Sequence, residues 1–314
     1  MGKYPRKLWE ISLKNHSNDV CLSVILSCLL LLIPFSCVQN VELDFKRGNE
    51  KILVVETEFT NLNLGNYVRL TWLHEVEDQK VLSVDNALII VSSDDGERDT
   101  LTKQEFNEDN PFEGYYFSEK LTCKPNRTYT LKIDVEGRIY EATHTMPPLP
   151  PKIDSVRLDF VKYEVGKSDG VLSYMYFKEP VQDKNYYMTK VCPDGNYGRR
   201  NPCSAIERYN RWGLLLLDDK HLPPYVNGVN INLPDKPKSD YIPAISGNYL
   251  AVLYALSQES FAYYQSLMDA LKSDGGVYSP SPANHPTNIK SKHKVVGFFH
   301  VVSVDSYPFF APRR

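Results

Sequence analysis

The sequence predicts a mainly β protein, and three observations carry that reading. Aromatic residues make up 12% of the chain, with 21 Tyr and 21 Pro against 5 Met, a balance that suits strands and fixed loops better than helical bundles. Short β-type runs alternate with turn signals at intervals of roughly ten residues, the rhythm of a sandwich. A single stretch near residue 260 carries convincing helical periodicity. At 314 residues the chain is long enough for two domains, each burying its own core.

Residues 1–36 read as a signal peptide. Lys3, Arg6, Lys7 and Lys14 form a basic leader, and Val20 to Phe35 is an apolar run of 16 residues without a charge. A spanning helix needs roughly 17 to 25 such residues, and Pro34 breaks a helix near the far end. The run stops at Pro34-Phe35-Ser36-Cys37. A small residue directly before Cys resembles the lipobox at which bacterial signal peptidase cuts once the thiol carries lipid. Cys37 is thus the expected lipid attachment site, and a bacterial outer membrane, reached through that anchor, is the expected location. A plain cleaved signal peptide or an uncleaved anchor is the alternative. Residues 37–50 continue as VQNVELDFKRGNE after the Cys, polar and without periodicity, and read as a lipid tether.

The strands of an N-terminal sandwich, over residues 51–147, are expected at Ile52 to Phe59, Tyr67 to His74, Ala87 to Ser92, Tyr115 to Phe117, Thr128 to Val135 and Arg138 to His144. The last two form the clearest hairpin. Tyr129, Leu131, Ile133 and Val135 alternate with polar residues, and Glu136-Gly137 turns the chain back. The expected type is an Ig-like or carboxypeptidase-regulatory-like β-sandwich.

Met146 to Pro151 holds four prolines, which join neither a ladder nor a helix, so residues 148–152 are the expected linker. A second β-rich domain, 153–314, then opens with strands at Ile153 to Tyr163, Leu172 to Phe177, Tyr186 to Val191 and Gly213 to Leu217. Leu214 to Leu217 are four apolar residues in a row, the pattern of a strand buried on both faces. A helix is expected over about 258–271, with Ser257 as N-cap and Phe261, Tyr264, Met268 and Leu271 on its core face. Lys294 to Val304 reads as a late, buried strand.

Three cysteines remain once Cys21 and Cys28 leave with the signal peptide and Cys37 takes lipid. Cys192 and Cys203 flank CPDGNYGRRNPC, whose turn residues bring its ends together. They are the expected disulfide, a closure contributing about 3 kcal/mol, and Cys123 stays free. No Cys-x-x-Cys or neighbouring His completes a metal set.

Chemistry leaves little trace. With 36 Lys+Arg mixed among 39 Asp+Glu and a net charge of -3, no nucleic-acid footprint is expected. Zinc, phosphate-loop, dinucleotide and nucleophile-elbow motifs are missing, so neither a cofactor nor a catalytic set is expected. His293 and His300 read as surface or packed residues, Asp94-Asp95-Gly96 with Asp99 as a hairpin turn, and Asp218-Asp219 as a polar strand exit. The pairs Tyr115-Tyr116, Tyr186-Tyr187 and Tyr263-Tyr264 offer apolar faces with polar tips, suited to a sugar or peptide site or to the core.

Leu53-Val54-Val55-Glu56 with Thr60-Asn61, the linker into Ile153-Asp154-Ser155-Val156, and a C-terminal block carry a resemblance. The block comprises Ser257-Gln258-Glu259-Ser260, Asp274 to Tyr278, Pro282-Ala283-Asn284, Asn288-Ile289 and Val296-Gly297-Phe298-Phe299. Together they resemble domain-of-unknown-function family 4249, predicted Bacteroidetes lipoproteins often encoded beside TonB-dependent outer-membrane receptors. The chain departs from the pattern at Thr57 and Thr287, where glycine is the family's residue. The resemblance implies a non-enzymatic accessory or binding subunit of a TonB-dependent transporter and transfers no catalytic residue. A hydrolase, or a free-standing glycan- or peptide-binding protein, is the alternative.

Overall fold

A computed structural model describes residues 51–62, 66–73, 82–103, 113–161, 170–180, 184–193, 215–231, 247–272 and 285–311. The signal peptide, the tether with Cys37, and Cys203 lie outside the described residues, and of Cys192 only the backbone is described.

The fold is mainly β. Its strands are β1 (Leu53–Thr60), β2 (Tyr67–Trp72), β3 (Leu82–Ser83), β4 (Ala87–Ser93), β5 (Arg98–Thr100), β6 (Thr102–Lys103), β7 (Tyr115–Phe117), β8 (Thr128–Val135) and β9 (Arg138–Thr145). After the proline-rich stretch follow β10 (Ile153–Val161), β11 (Gly170–Lys178), β12 (Tyr186–Pro193), β13 (Leu215–Asp218), β14 (Tyr225–Asn230) and β15 (Gly247–Leu256). Helix α1 (Gln258–Lys272) then leads to β16 (Ile289–Ser291), β17 (Val295–Phe298) and β18 (Val301–Ala311).

The described strands form three sheets. The largest runs β13-β12-β15-β18-β1-β2-β7-β6, with β17 also on β1 and β3 on β2. The second runs β16-β9-β8-β4-β5, and the third β10-β11-β14. The β8–β9 hairpin forms as its alternation predicts. Tyr129, Leu131, Ile133 and Val135 are buried, and the two-residue turn has positive φ at both Glu136 (53°) and Gly137 (80°), the twist-matched geometry of a tight hairpin. Asp134 Oδ1 accepts the Gly137 N–H at 2.9 Å.

The sandwich expected over 51–147 draws on residues far beyond the prolines. Its core joins Leu53, Val55, Phe59, Ile89, Leu131 and Tyr140 with Ile289, Phe299 and Val301. β16 extends the second sheet on β9, while β17 and β18 run parallel to β1. Residues 148–152 therefore do not separate two sets of sheets, and Asn49–Arg314 packs as one unit.

Two other expectations are corrected. β13, expected to be buried on both faces, is half-buried and, among the described residues, pairs with β12 alone. A strand with both faces covered is β15, whose residues 251–256 are all buried between β12 and β18. Its apolar run, YLAVLYAL, lacks the alternation that marks a one-sided strand. The single late strand expected over Lys294 to Val304 is two strands. Gly297 has φ +120°, and a Cβ there would lie 1.9 Å from the Val55 carbonyl oxygen, so the close approach of β17 to β1 requires glycine.

Candidate functional site

Along β1, Val55 and Phe59 enter the sandwich core, so Glu56 and Glu58 stand on the opposite face. There each acid meets a base on another strand. Arg69, opposite Glu56 in the ladder, places Nη1 3.4 Å from Glu56 Oε1 and its guanidinium 5.3 Å from the Tyr115 ring. Lys190 of β12 places Nζ 3.2 Å from Glu58 Oε2 and 4.8 Å from the Tyr254 ring. Tyr254 donates its hydroxyl to Glu58 Oε1 at 3.4 Å. All four charged side chains are at most 14% exposed, so these are buried pairs, whose loss costs far more than a surface pair's.

A second polar network adjoins them. Ser257 caps α1: its Oγ accepts the Ser260 N–H at 3.1 Å, the N-cap arrangement. The Val301 N–H donates to His144 Nδ1 at 3.2 Å. The proton of the neutral imidazole therefore sits on Nε2, which faces Ser257 Oγ at 2.9 Å and Ser260 Oγ at 3.2 Å. Ser260 Oγ in turn lies 3.3 Å from His300 Nδ1. The His300 ring packs among Tyr264, Phe298 and Tyr263, and its Nε2 is buried without a hydrogen-bond partner among the described residues. Burial pushes His144 down to about 4. It also pushes His300 well below the usual range, with His144 and Lys190 adding to the effect. Both rings are neutral at pH 7.

Serine beside histidine is the pairing of acyl-transfer enzymes, and here Ser260 and both histidines are packed inside the protein. Ser260 is fully buried, His144 and His300 nearly so, and Ser257 Oγ is engaged by a helix N-terminus. The network fastens β9 of the sandwich, α1 and the start of β18 to one another.

Residues singled out in the sequence fall into place. His300 is packed and His293 half-buried. Asp94, Asp95 and Gly96 form the turn between β4 and β5, whereas Asp99 is buried and its Oδ2 accepts from Ser118 Oγ, Glu119 N and Lys120 N. Asp218 caps the 3-10 turn after β13 through the Lys220 N–H, and Asp219 Oδ2 accepts the Asn185 N–H, so the two carboxylates serve different partners. All three Tyr pairs are buried. Tyr116 donates to the Val84 carbonyl, Tyr187 donates to Glu179, and Tyr263 and Tyr264 flank His300. Among the described tyrosines outside the core, Tyr174, Tyr176 and Tyr307 are half-buried and Tyr225 is exposed; they occur singly along their strands and carry no sequence signal of a pair. Among the described residues no three His, Cys, Asp or Glu side chains converge as metal ligands. No described helix is long and apolar enough to cross a membrane.

The residues that carry the family resemblance hold the C-terminal strands on the sandwich. Asn61 exchanges two hydrogen bonds with the Val304 backbone, and Asn288 does the same with Phe299. Thr57 and Thr287 both form side-chain hydrogen bonds to the backbone. Thr57 Oγ1 accepts the His300 N–H at 2.8 Å and donates to the Phe298 carbonyl at 3.2 Å, and Thr287 Oγ1 accepts the Ile289 N–H at 3.2 Å. No curated protein matches the chain. The model of the family described as Domain of unknown function (DUF4249) matches residues 38–307, and the chain belongs to that family.

Proposed function

We propose that this protein is a lipid-anchored accessory or binding subunit of the outer membrane in a Bacteroidetes bacterium, without a catalytic role, docked on a TonB-dependent transporter. The observation that carries the reading is where the family's shared body begins: the match starts at residue 38, directly after Cys37. That is the position expected if everything before the lipidated cysteine is removed. Acyl chains contribute about 0.8 kcal/mol per buried methylene, so several chains hold a protein permanently. An anchored body on a tether gains effective concentration toward neighbours in the same membrane. The use of Ser257, Ser260, His144 and His300 as internal fasteners supports a non-enzymatic role over a serine hydrolase. A mild-detergent pull-down with the tagged protein, read by mass spectrometry, tests the partner: a TonB-dependent β-barrel should be enriched over a lipidated control. Absence of any outer-membrane barrel refutes the docking.

A further inference from the structure

Exposed Tyr225 and half-buried Tyr174 and Tyr176 stand together on the third sheet. One face of β10-β11-β14 sends Ile153, Met175, Phe177 and Val226 into a core shared with β12 and β15. Alternation sends Arg157, Tyr174, Tyr176, Lys178, Tyr225 and Asn227 to the other face. The register sets Arg157 opposite Tyr174, Tyr176 opposite Asn227, and Lys178 opposite Tyr225.

These side chains are arranged as a platform. The Arg157 guanidinium lies 5.7 Å from the Tyr174 ring and 6.0 Å from the Tyr176 ring, and Nη2 donates to Asp159 Oδ2 at 3.0 Å. Arg157 is nevertheless 62% exposed, Asp159 44% and Tyr225 47%. Gly228 has φ +88°, and a Cβ there would lie 3.0 Å from the Tyr176 hydroxyl and 3.2 Å from its Cζ. Glycine thus lets the Tyr176 ring lean across β14 rather than stand away from the sheet.

We propose that this face binds an acidic glycan. A pyranose ring presents a C–H face that packs on tyrosine rings. Its hydroxyls both donate and accept, and here they meet the donors of Arg157, the carboxylate of Asp159 and the amide of Asn227. Two cations, Arg157 and Lys178, stand against one carboxylate, and a uronate matches the surplus, with Arg suited to bidentate carboxylate recognition. A protein partner fits less well, because interface cores are depleted in charge and charged side chains occupy the middle of this face.

Affinity electrophoresis of the full-length protein, extracted in mild detergent, tests the assignment with native gels containing polygalacturonate, laminarin or polyglutamate. The expected result is at least a twofold loss of relative mobility in polygalacturonate, with little change in the neutral glucan or the acidic polypeptide. Arg157→Ala and Tyr176→Ala should each remove most of that retardation. Asn227→Ala, at an exposed position, should reduce it with an unchanged circular dichroism spectrum. No retardation by polygalacturonate, equal retardation by laminarin or polyglutamate, or retardation that survives in Arg157→Ala and Asn227→Ala overturns the proposal. Binding by the extracted protein needs neither an acylated Cys37 nor a transporter, so a negative result leaves the anchor and docking proposals standing.

Discussion

His144 Nε2 and Ser257 Oγ, 113 positions apart in the chain, lie 2.9 Å from each other. The contact ties the last strand of the β8–β9 hairpin to the first turn of α1. The same ring accepts the Val301 N–H at Nδ1, which requires an imidazole that stays neutral, and this makes the fold sensitive to acid.

The sign follows from linkage. His144 titrates near 4 when folded and near 6.5 when unfolded, so below about pH 6.5 the unfolded chain takes up a proton that the folded one refuses. The contribution is fully present above that pH and is lost as the pH falls from 6.5 toward 4, on the order of 3 kcal/mol for this group alone. His300 is shifted in the same direction. Urea denaturation should give a lower midpoint at pH 5 than at pH 7.5, and His144→Gln should narrow that difference while lowering stability at both. A midpoint unchanged between the two pH values contradicts this account.

Gly297 offers a sharper contrast. A Cβ at this position meets the Val55 carbonyl at 1.9 Å, whereas at Gly96, also with positive φ, it meets nothing within 4 Å. Gly297→Ala should cost more than about 3 kcal/mol, combining backbone strain with displacement of β17 from β1. Gly96→Ala should cost about 1 kcal/mol. Equal thermal midpoints for the two variants would show that β17 can move away from β1 at little cost.

The buried Glu58–Lys190 pair links β1 to β12 across 132 positions. Lys190→Met leaves the Glu58 carboxylate buried beside Tyr254 alone and should destabilise by about 3 kcal/mol or more. Adding Glu58→Gln removes the stranded charge, so the double variant should be more stable than the sum of the single losses predicts. Strict additivity in denaturation measurements would mean that the two groups do not interact.

How much of this was legible beforehand depended on whether the signal was local. The β8–β9 hairpin, with strict alternation and a two-residue turn, has the bounds its sequence indicates to within one residue. Ser257 is recognisable as a cap because capping is a relation over three residues. Its second role, holding His144, is a relation over 113 residues that no window contains. β15 passed unnoticed because a strand covered on both faces lacks the alternation used to find strands, and β14 because Asn and Gly interrupt the apolar pattern of YVNGVN. The same difficulty applies to the platform: Tyr174 and Tyr176 alternate with Met175 and Phe177, an ordinary strand pattern, and only the sheet brings Arg157 and Asn227 beside them.

Thiol chemistry should separate the three cysteines of the body. Cys123 is buried without a disulfide, and burial pushes its thiol up to about 12, so almost no thiolate exists at pH 8 and alkylation should be slow until the protein unfolds. Non-reducing mass mapping should find Cys192 joined to Cys203. A bridge from Cys123 to either would contradict both the mapping and the packing of Cys123 in the sandwich core.

The anchor is the prediction on which location depends. If Cys37 is diacylated and then becomes the first residue of the mature chain, Cys37→Ala removes both the attachment point and the cleavage signal. Metabolic labelling with a clickable palmitate analogue should mark the wild-type protein and leave the variant unmarked. Mass spectrometry of the wild-type N-terminus should return a modified Cys37 and no peptide from residues 1–36. The variant, lacking acyl chains whose buried methylenes each contribute about 0.8 kcal/mol, should leave the membrane fraction if its leader is cut elsewhere. If the leader is kept, the variant should instead stay in the membrane with Val20 to Phe35 intact, and the missing label separates that case from true lipidation. A labelled Cys37→Ala protein, or a wild-type chain beginning at any residue other than Cys37, would rule out the lipid anchor and with it the tethered-subunit account.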